Sequence, residues 1–342
     1  MKKLYILAFL ITFLSKAQNI QLSPQAEISV ITCGPGENEL YATFGHSAFR
    51  IQDIPNKIDR VYNYGTFNFD TPNFYMNFAQ GKLLYELRAY NFGAFLQSYH
   101  RENRWVKGQV LDLTTGNVQE VYEFLENNTK PKNRSYKYDF FFNNCSTKLY
   151  DVLETVLKDK IIFNNDFDKY QYTHRDLIQL YLNNQLWGDF GIDLALGSVI
   201  DKKASAKEYM FLPDFVFEAF TKIEVKSDNY QKPIVKRTEQ ILLNDNKLIQ
   251  NTLFTPLIIF SIISLFIIIL TIIDYKKQKR NKVLDYFIFT ITGLIGILVL
   301  LLWFATDHTA TANNFNVFWA FAPNLVFAFL IKKNHKINYY YI

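Results

Sequence analysis

Apolar positions recur along this chain at three different spacings, and each spacing predicts a different part of the fold. Residues 26–33 alternate apolar and polar, as in a half-buried strand, and Gly34-Pro35-Gly36 then turns the chain. A second strand is expected from His46, with Ser47, Phe49 and Ile51 on one face, a third over 60–67, and others over 83–90 and 105–113. Helical spacing marks 92–99, the set Val118, Val121, Tyr122 and Leu125, and the set Leu149, Val152, Leu153, Val156 and Leu157 that follows Cys145. Thr71-Pro72 opens a further helix, a cap followed by proline at the first helical position, and Gly81 stops it. Residues 127–136 are polar and read as a loop leading to Cys145. These segments predict an α+β domain with a small sheet and several packed helices.

Beyond this domain the pattern becomes more helical. Thr173-His174-Arg175-Asp176 opens a helix through Leu182, residues 187–197 follow, and Phe211-Leu212-Pro213-Asp214 opens another. The expectation is a helical lobe over 159–223, with Arg175 and Asp193 available to pair, and a polar connector over 224–252. The third pattern is unbroken apolarity. Residues 253–273 and 284–304 are each long enough, at about 1.5 Å per residue, to cross a hydrocarbon core of roughly 30 Å. Residues 315–331 form a shorter third span carrying Pro323 and Asn324.

Charge then orients the spans. Lys276, Lys277, Lys279, Arg280 and Lys282 crowd the first connection and Lys332, Lys333 and Lys336 follow the third span, whereas 305–314 carry no basic residue. The positive-inside rule puts both basic segments in the cytoplasm and the large domain outside, with Asp307-His308 in a solvated loop at the outer membrane face. The N-terminus gives the same orientation independently. Lys2 and Lys3, an apolar run over 4–14 and the small-residue site Ser15-Lys16-Ala17 read as an export signal. The organisation expected over 342 residues is a signal (1–17), a catalytic domain (18–158), the lobe (159–223), the connector (224–252), a three-span membrane region (253–331) and a cytoplasmic tail (332–342). A formal charge of +5, gathered at membrane flanks, argues against nucleic-acid binding.

Only two cysteines occur, Cys33 and Cys145. A disulfide between them would preclude nucleophilic chemistry, and the demanding geometry of such a bridge weighs against it. Cys145 in the first turn of a helix lies among unpaired N–H groups and the positive dipole end, which favour thiolate. A thiolate nucleophile needs a base to take its proton and donors for the oxyanion that attack creates. Of the five histidines, His335 lies in the basic tail, His100 among charges at a helix end, and His174 in a helical first turn; His308 belongs to the outer loop. His46 remains, flanked by Gly45, Ser47 and Ala48, small residues that leave room for a substrate. Asn63 and Tyr64 on the next strand are candidates to orient the imidazole, with Asp139 and Asn143 as rivals. Backbone N–H groups at Cys145 and its neighbour Asn144 are oxyanion candidates. No metal-ligand spacing or phosphate-binding glycine loop is present, so no metal or cofactor is expected.

The runs Thr32-Cys33-Gly34-Pro35-Gly36, Phe44-Gly45-His46-Ser47-Ala48, Val61-Tyr62-Asn63-Tyr64-Gly65-Thr66-Phe67 and 140–147 resemble those of the bacterial lipoprotein N-acyltransferase family of the Lnb type. The likeness continues through Phe190-Gly191-Ile192-Asp193-Leu194 and Met210-Phe211-Leu212-Pro213 into the spans. The order of histidine first and Asn-Cys later is similar to permuted papain-like (NlpC/P60-like) folds. The resemblance implies a multi-pass protein of the bacterial inner membrane whose periplasmic domain moves an acyl chain from a membrane phospholipid to the N-terminal amine of diacylglyceryl-cysteine lipoproteins. It implies His46 as base and Cys145 as nucleophile. Two other readings compete: a membrane-anchored Cys/His peptidoglycan amidase or endopeptidase, and a non-catalytic envelope assembly protein.

Overall fold

Alternating strands need a partner for each edge and a cover for each apolar face, and the order in which they pair decides where His46 and Cys145 lie. The computed structural model describes residues 20–36, 39–163, 171–227, 230–244 and 254–333, so the expected export signal and the tail beyond 333 lie outside the described residues. The chain runs β1 (Glu27–Cys33), β2 (His46–Asp53), β3 (Ile58–Thr66), α1 (Phe74–Ala79), β4 (Leu84–Asn91), α2 (Phe92–Arg101) and β5 (Val106–Leu111). It continues through α3 (Thr115–Asn128), β6 (Ser135–Lys137), α4 (Thr147–Leu157) and β7 (Ile161–Phe163). The lobe holds α5 (His174–Leu182), α6 (Leu186–Ala195), α7 (Ala206–Tyr209) and α8 (Pro213–Phe220). Then come β8 (Ile223–Ser227), β9 (Tyr230–Pro233), β10 (Val235–Leu242), α9 (Pro256–Lys277), α10 (Lys282–Phe304) and α11 (Asn324–Lys333).

The main sheet is antiparallel in the order β10-β5-β1-β2-β3-β4-β6. One face buries Val30, Phe49, Ile51 and Tyr62 against α3, α4 and the lobe, and the other packs Ile31, Ala48 and Val61 against Phe92, Phe95 and Tyr99 of α2. The mixed α+β architecture is therefore as the periodicity requires. A capping box on Thr173 and Asp176 starts α5 at the expected place, and Arg175 binds Asp193 at 2.5 Å.

Three expectations are corrected. The loop over 127–136 ends in β6, whose Tyr136 pairs with Tyr85 of β4. Of the stretch read as a polar connector, 224–252, the described residues are largely strand: β8 pairs with β7 on one side and β9 on the other, and β10 closes one edge of the main sheet against β5. Its polarity is that of an edge strand, and Arg237 and Lys236 grip Glu27 of β1.

The third correction concerns the membrane region. Among the described residues, two helices, α9 and α10, are long and apolar enough to cross a membrane. The expected third span is broken into a 3-10 turn (Phe315–Phe318), the irregular stretch to Pro323, and the ten-residue α11. Pro323 supplies no N–H to a continuous ladder, and Asn314 and Asn316 spend their side-chain amides on carbonyls of Asp193, Leu194 and Ala195 in α6. That polar grip holds the segment against the large domain. Below it, Gly293 and Gly296 are buried in α10, and Asn324 reaches Thr292 at 3.0 Å. A Cβ on either glycine would collide with backbone at Leu325 or Ala320, so close approach requires them.

Candidate active site

His46 is the first residue of β2 and pairs with Cys33, the last of β1, so it stands at the lip of the sheet. The preceding Gly45 has φ +79°, and a Cβ there would lie 2.7 Å from the Cys33 carbonyl. Only glycine brings the chain into β2 along this path without strain. The next strand, β3, stays in register with β4 to Asn63 and then slips before Thr66. At this bulge Gly65 takes φ +82°, facing Cys145: a Cβ would sit 3.4 Å from that residue's own Cβ.

Cys145 arrives from the opposite direction, on the turn that starts α4. Asn144 makes this turn. Its Oδ1 accepts from the N–H groups of Ser146 and Thr147 at 2.8 and 2.9 Å, and its buried Nδ2 donates to the carbonyls of Phe140 and Phe211 at 2.7 Å each. The Thr147 hydroxyl accepts from Asn144 N–H at 2.9 Å. These bonds consume the amides of 144, 146 and 147 and leave that of Cys145. Asn144 thus ties the turn ahead of α4, and with its side chain fully committed there it has no group left for an oxyanion or for His46.

His46 and Cys145 are half-buried neighbours, each the strongest charge partner of the other. Asn63 Oδ1 lies 2.6 Å from His46 Nε2, which leaves Nδ1 for the sulfur. Tyr64, the rival, points the other way, as the next residue on a strand must: it packs edge-on to Tyr136 at 5.9 Å and accepts from Asn128. Asp139 and Asn143 pair with one another through their backbones and do not reach the imidazole.

Burial alone would push the Cys145 thiol up, but the charge and hydrogen bond of His46, the Ser47 backbone N–H and the Ser146 hydroxyl outweigh it and bring it down to about 7. Burial alone would push His46 down; the thiolate and Asn63 reverse this, and its pKa is raised. The pair therefore leans towards imidazolium and thiolate. Both cysteines are free, and burial pushes the Cys33 thiol up to about 12. His174 is buried at the start of α5, edge-on to Phe141 at 5.3 Å, and His100 is exposed. Among the described residues there is no group of three or more His, Cys, Asp or Glu able to hold a metal.

Sequence reasoning missed how the membrane region touches this site. The loop after α10 is docked on the large domain even though Asp307 and Thr309 stay exposed. Asp307 binds Lys137 at 2.9 Å, His308 contacts the Ala79 carbonyl at 3.2 Å, and Thr309 donates to Asp139 Oδ2 at 2.7 Å. Asp139 Oδ1 meanwhile accepts from the N–H groups of Phe141 and Phe142, organising the turn that carries Cys145. On the other side, Trp187 of α6 donates to the Phe254 carbonyl just ahead of α9, and Phe190 packs on Phe260. The Cys145 turn is thus tied through Asp139 to the loop that leaves α10, and α6 to the start of α9.

The family model described as the Lnb N-terminal periplasmic domain matches residues 16–182, and that described as the Lnb transmembrane domain matches residues 248–342. Comparison with curated proteins and with solved structures gives no match.

Proposed function

The chain belongs to the Lnb family, as a membrane protein with a periplasmic N-terminal domain, and from that premise we propose that it is a lipoprotein N-acyltransferase working through a thioester on Cys145. The observation that carries this reading is the placing of Cys145 beside the Asn63-held His46, on a turn tied by Asp139 to the loop leaving α10. A soluble substrate would not require a nucleophile seated there.

His46 takes the Cys145 proton, and the thiolate attacks the ester carbonyl of a membrane phospholipid. The Cys145 N–H, unspent in the helix turn, donates to the oxyanion. Collapse breaks the carbon–oxygen bond, His46 returns its proton to the departing glyceryl oxygen, and a lysophospholipid leaves. The N-terminal amine of a diacylated lipoprotein then attacks the thioester, giving an amide and regenerating the thiol, with His46 carrying the proton. Asn63 holds the imidazole in the tautomer that both halves need. We also read the domain as a permuted papain-like fold, on the support of a cysteine turn and helix packed on an antiparallel sheet whose strands carry the histidine and its amide partner.

The test is reconstitution of the full chain in vesicles of acyl-labelled phospholipid with a diacylated lipopeptide. The reading expects mass transfer of one acyl group to the lipopeptide amine, lost in Cys145→Ala. Cleavage of muropeptide without acyl transfer would move the assignment to a cell-wall amidase.

A further inference from the structure

The helix α1 and its flanks expose a run of large apolar side chains that the reaction above does not use. Phe69, Tyr75, Met76, Phe78 and Leu84 are all exposed, Tyr75 by 77%. Such a contiguous patch marks an interaction surface on a water-facing domain. Its position names the partner. The carbonyls of Gln80 and Ala79 at the end of α1 bond Asp307 N–H at 2.8 Å and the His308 ring at 3.2 Å. Asp307 follows the last residue of the span α10, Phe304, by three residues, which reach at most about 11 Å. A Cβ on Gly81 would lie 3.0 Å from the His308 backbone nitrogen, so the contact is backbone to backbone and leaves little play. The exposed side chains of α1 are therefore held at the level where α10 leaves the hydrocarbon.

We propose that the segment 69–84 is a bilayer-docking surface whose aromatic and Met side chains insert into the headgroup layer of the outer leaflet. Aromatic side chains favour that depth, and the short helix needs only its exposed face to enter. Phosphates of the same leaflet suit the exposed Lys82 beside it. The surface also leads to the nucleophile. Phe67 stands 5.7 Å from Phe74 of α1 and 5.5 Å from Tyr85, Tyr85 stacks on Tyr138 at 4.2 Å, and Tyr138 lies with Cys145 around Gly65. This row of rings connects the docked helix to the cleft, a route suited to an acyl chain. That last role rests on the acyltransferase reading, whereas the docking itself does not.

The experiment attaches a nitroxide to full-length protein in phospholipid nanodiscs at Tyr75→Cys or Phe78→Cys, in a Cys145→Ser background where the remaining cysteine, Cys33, is buried. Collision with oxygen is compared with collision with a water-soluble nickel chelate. Leu265→Cys, exposed on the span α9, and Ile54→Cys, exposed at the far end of the β2–β3 hairpin, are the references. Docking expects sites 75 and 78 to fall between the two references, with an oxygen-to-chelate ratio clearly above that of site 54; a ratio equal to that of site 54 overturns it. In a second arm, Tyr75→Ser with Phe78→Ser in an otherwise unaltered chain should slow acylation of Cys145 by phospholipid about 10-fold or more, leaving reaction with a water-soluble short-chain thioester unchanged. An equal loss with both donors overturns the proposal. If unaltered protein reacts with no phospholipid, the acyltransferase reading fails and the collision data still decide the docking.

Discussion

Asn63 holds His46 by its Nε2 at 2.6 Å, from the last in-register position of β3 before its bulge. The contact fixes which ring nitrogen meets the sulfur of Cys145. Replacing Asn63 with Ala should lower the rate of Cys145 acylation by on the order of 10- to 100-fold, less than the roughly 10²–10⁴-fold expected for losing a general base. Single-turnover acylation of Asn63→Ala beside His46→Ala measures both.

The thiol is brought down to about 7 because His46 outweighs the cost of burial. Alkylation by iodoacetamide should therefore rise as pH increases through about 7 and then level off, since only thiolate reacts. In His46→Ala the inflection should move upward, towards or beyond the roughly 8.5 of a free cysteine. An inflection unmoved by that substitution would contradict the pairing.

Cys33, pushed up to about 12 inside the sheet, carries almost no thiolate at neutral pH. Mass analysis after alkylation of the native chain should find a single modified cysteine, Cys145, and no disulfide. Modification of Cys33 at a comparable rate would contradict its placement.

Asn144 spends its whole side chain on the turn that presents the nucleophile. Asn144→Ala should cost about 0.5–2 kcal/mol for the lost cap-like bonds, with a further penalty for carbonyls left unpaired in the interior. Thermal unfolding in detergent reads the loss.

Thr309 couples the loop after α10 to the Cys145 turn through Asp139. Thr309→Val preserves shape and removes the donor, so phospholipid-dependent acylation should fall by several-fold while alkylation by a small soluble reagent stays unchanged. Equal effects on both would make the contact a matter of general stability.

How much of this was legible in the chain depended on whether the signal was local. The nucleophile helix announced itself through Leu149, Val152, Leu153 and Leu157, all buried as the spacing requires. His46 was reached by elimination among five histidines, and its glycine-rich approach was the useful clue. The choice between Asn63 and Tyr64 was not legible, because adjacent strand residues face opposite ways and which face meets His46 is a pairing property. The strand β10 was hidden by its own exposure: an edge strand carrying Lys236, Arg237 and Glu239 has the composition of a linker. The continuous helix expected for the third span is interrupted where hydropathy ignores backbone chemistry, at Pro323 and the asparagines bound to α6. The docking of the outer loop onto Asp139 joins residues 170 positions apart, and no local pattern encodes it.

The central claim is a covalent one. Full-length protein mixed with labelled phospholipid in the absence of any amine acceptor, quenched and mapped by mass spectrometry, tests it most directly. The account predicts one acyl group on the Cys145 peptide, removed by neutral hydroxylamine, absent from Cys145→Ala and released on adding a diacylated lipopeptide. Acyl transfer to the lipopeptide with no mass ever found on Cys145, or transfer that survives Cys145→Ala, would contradict it.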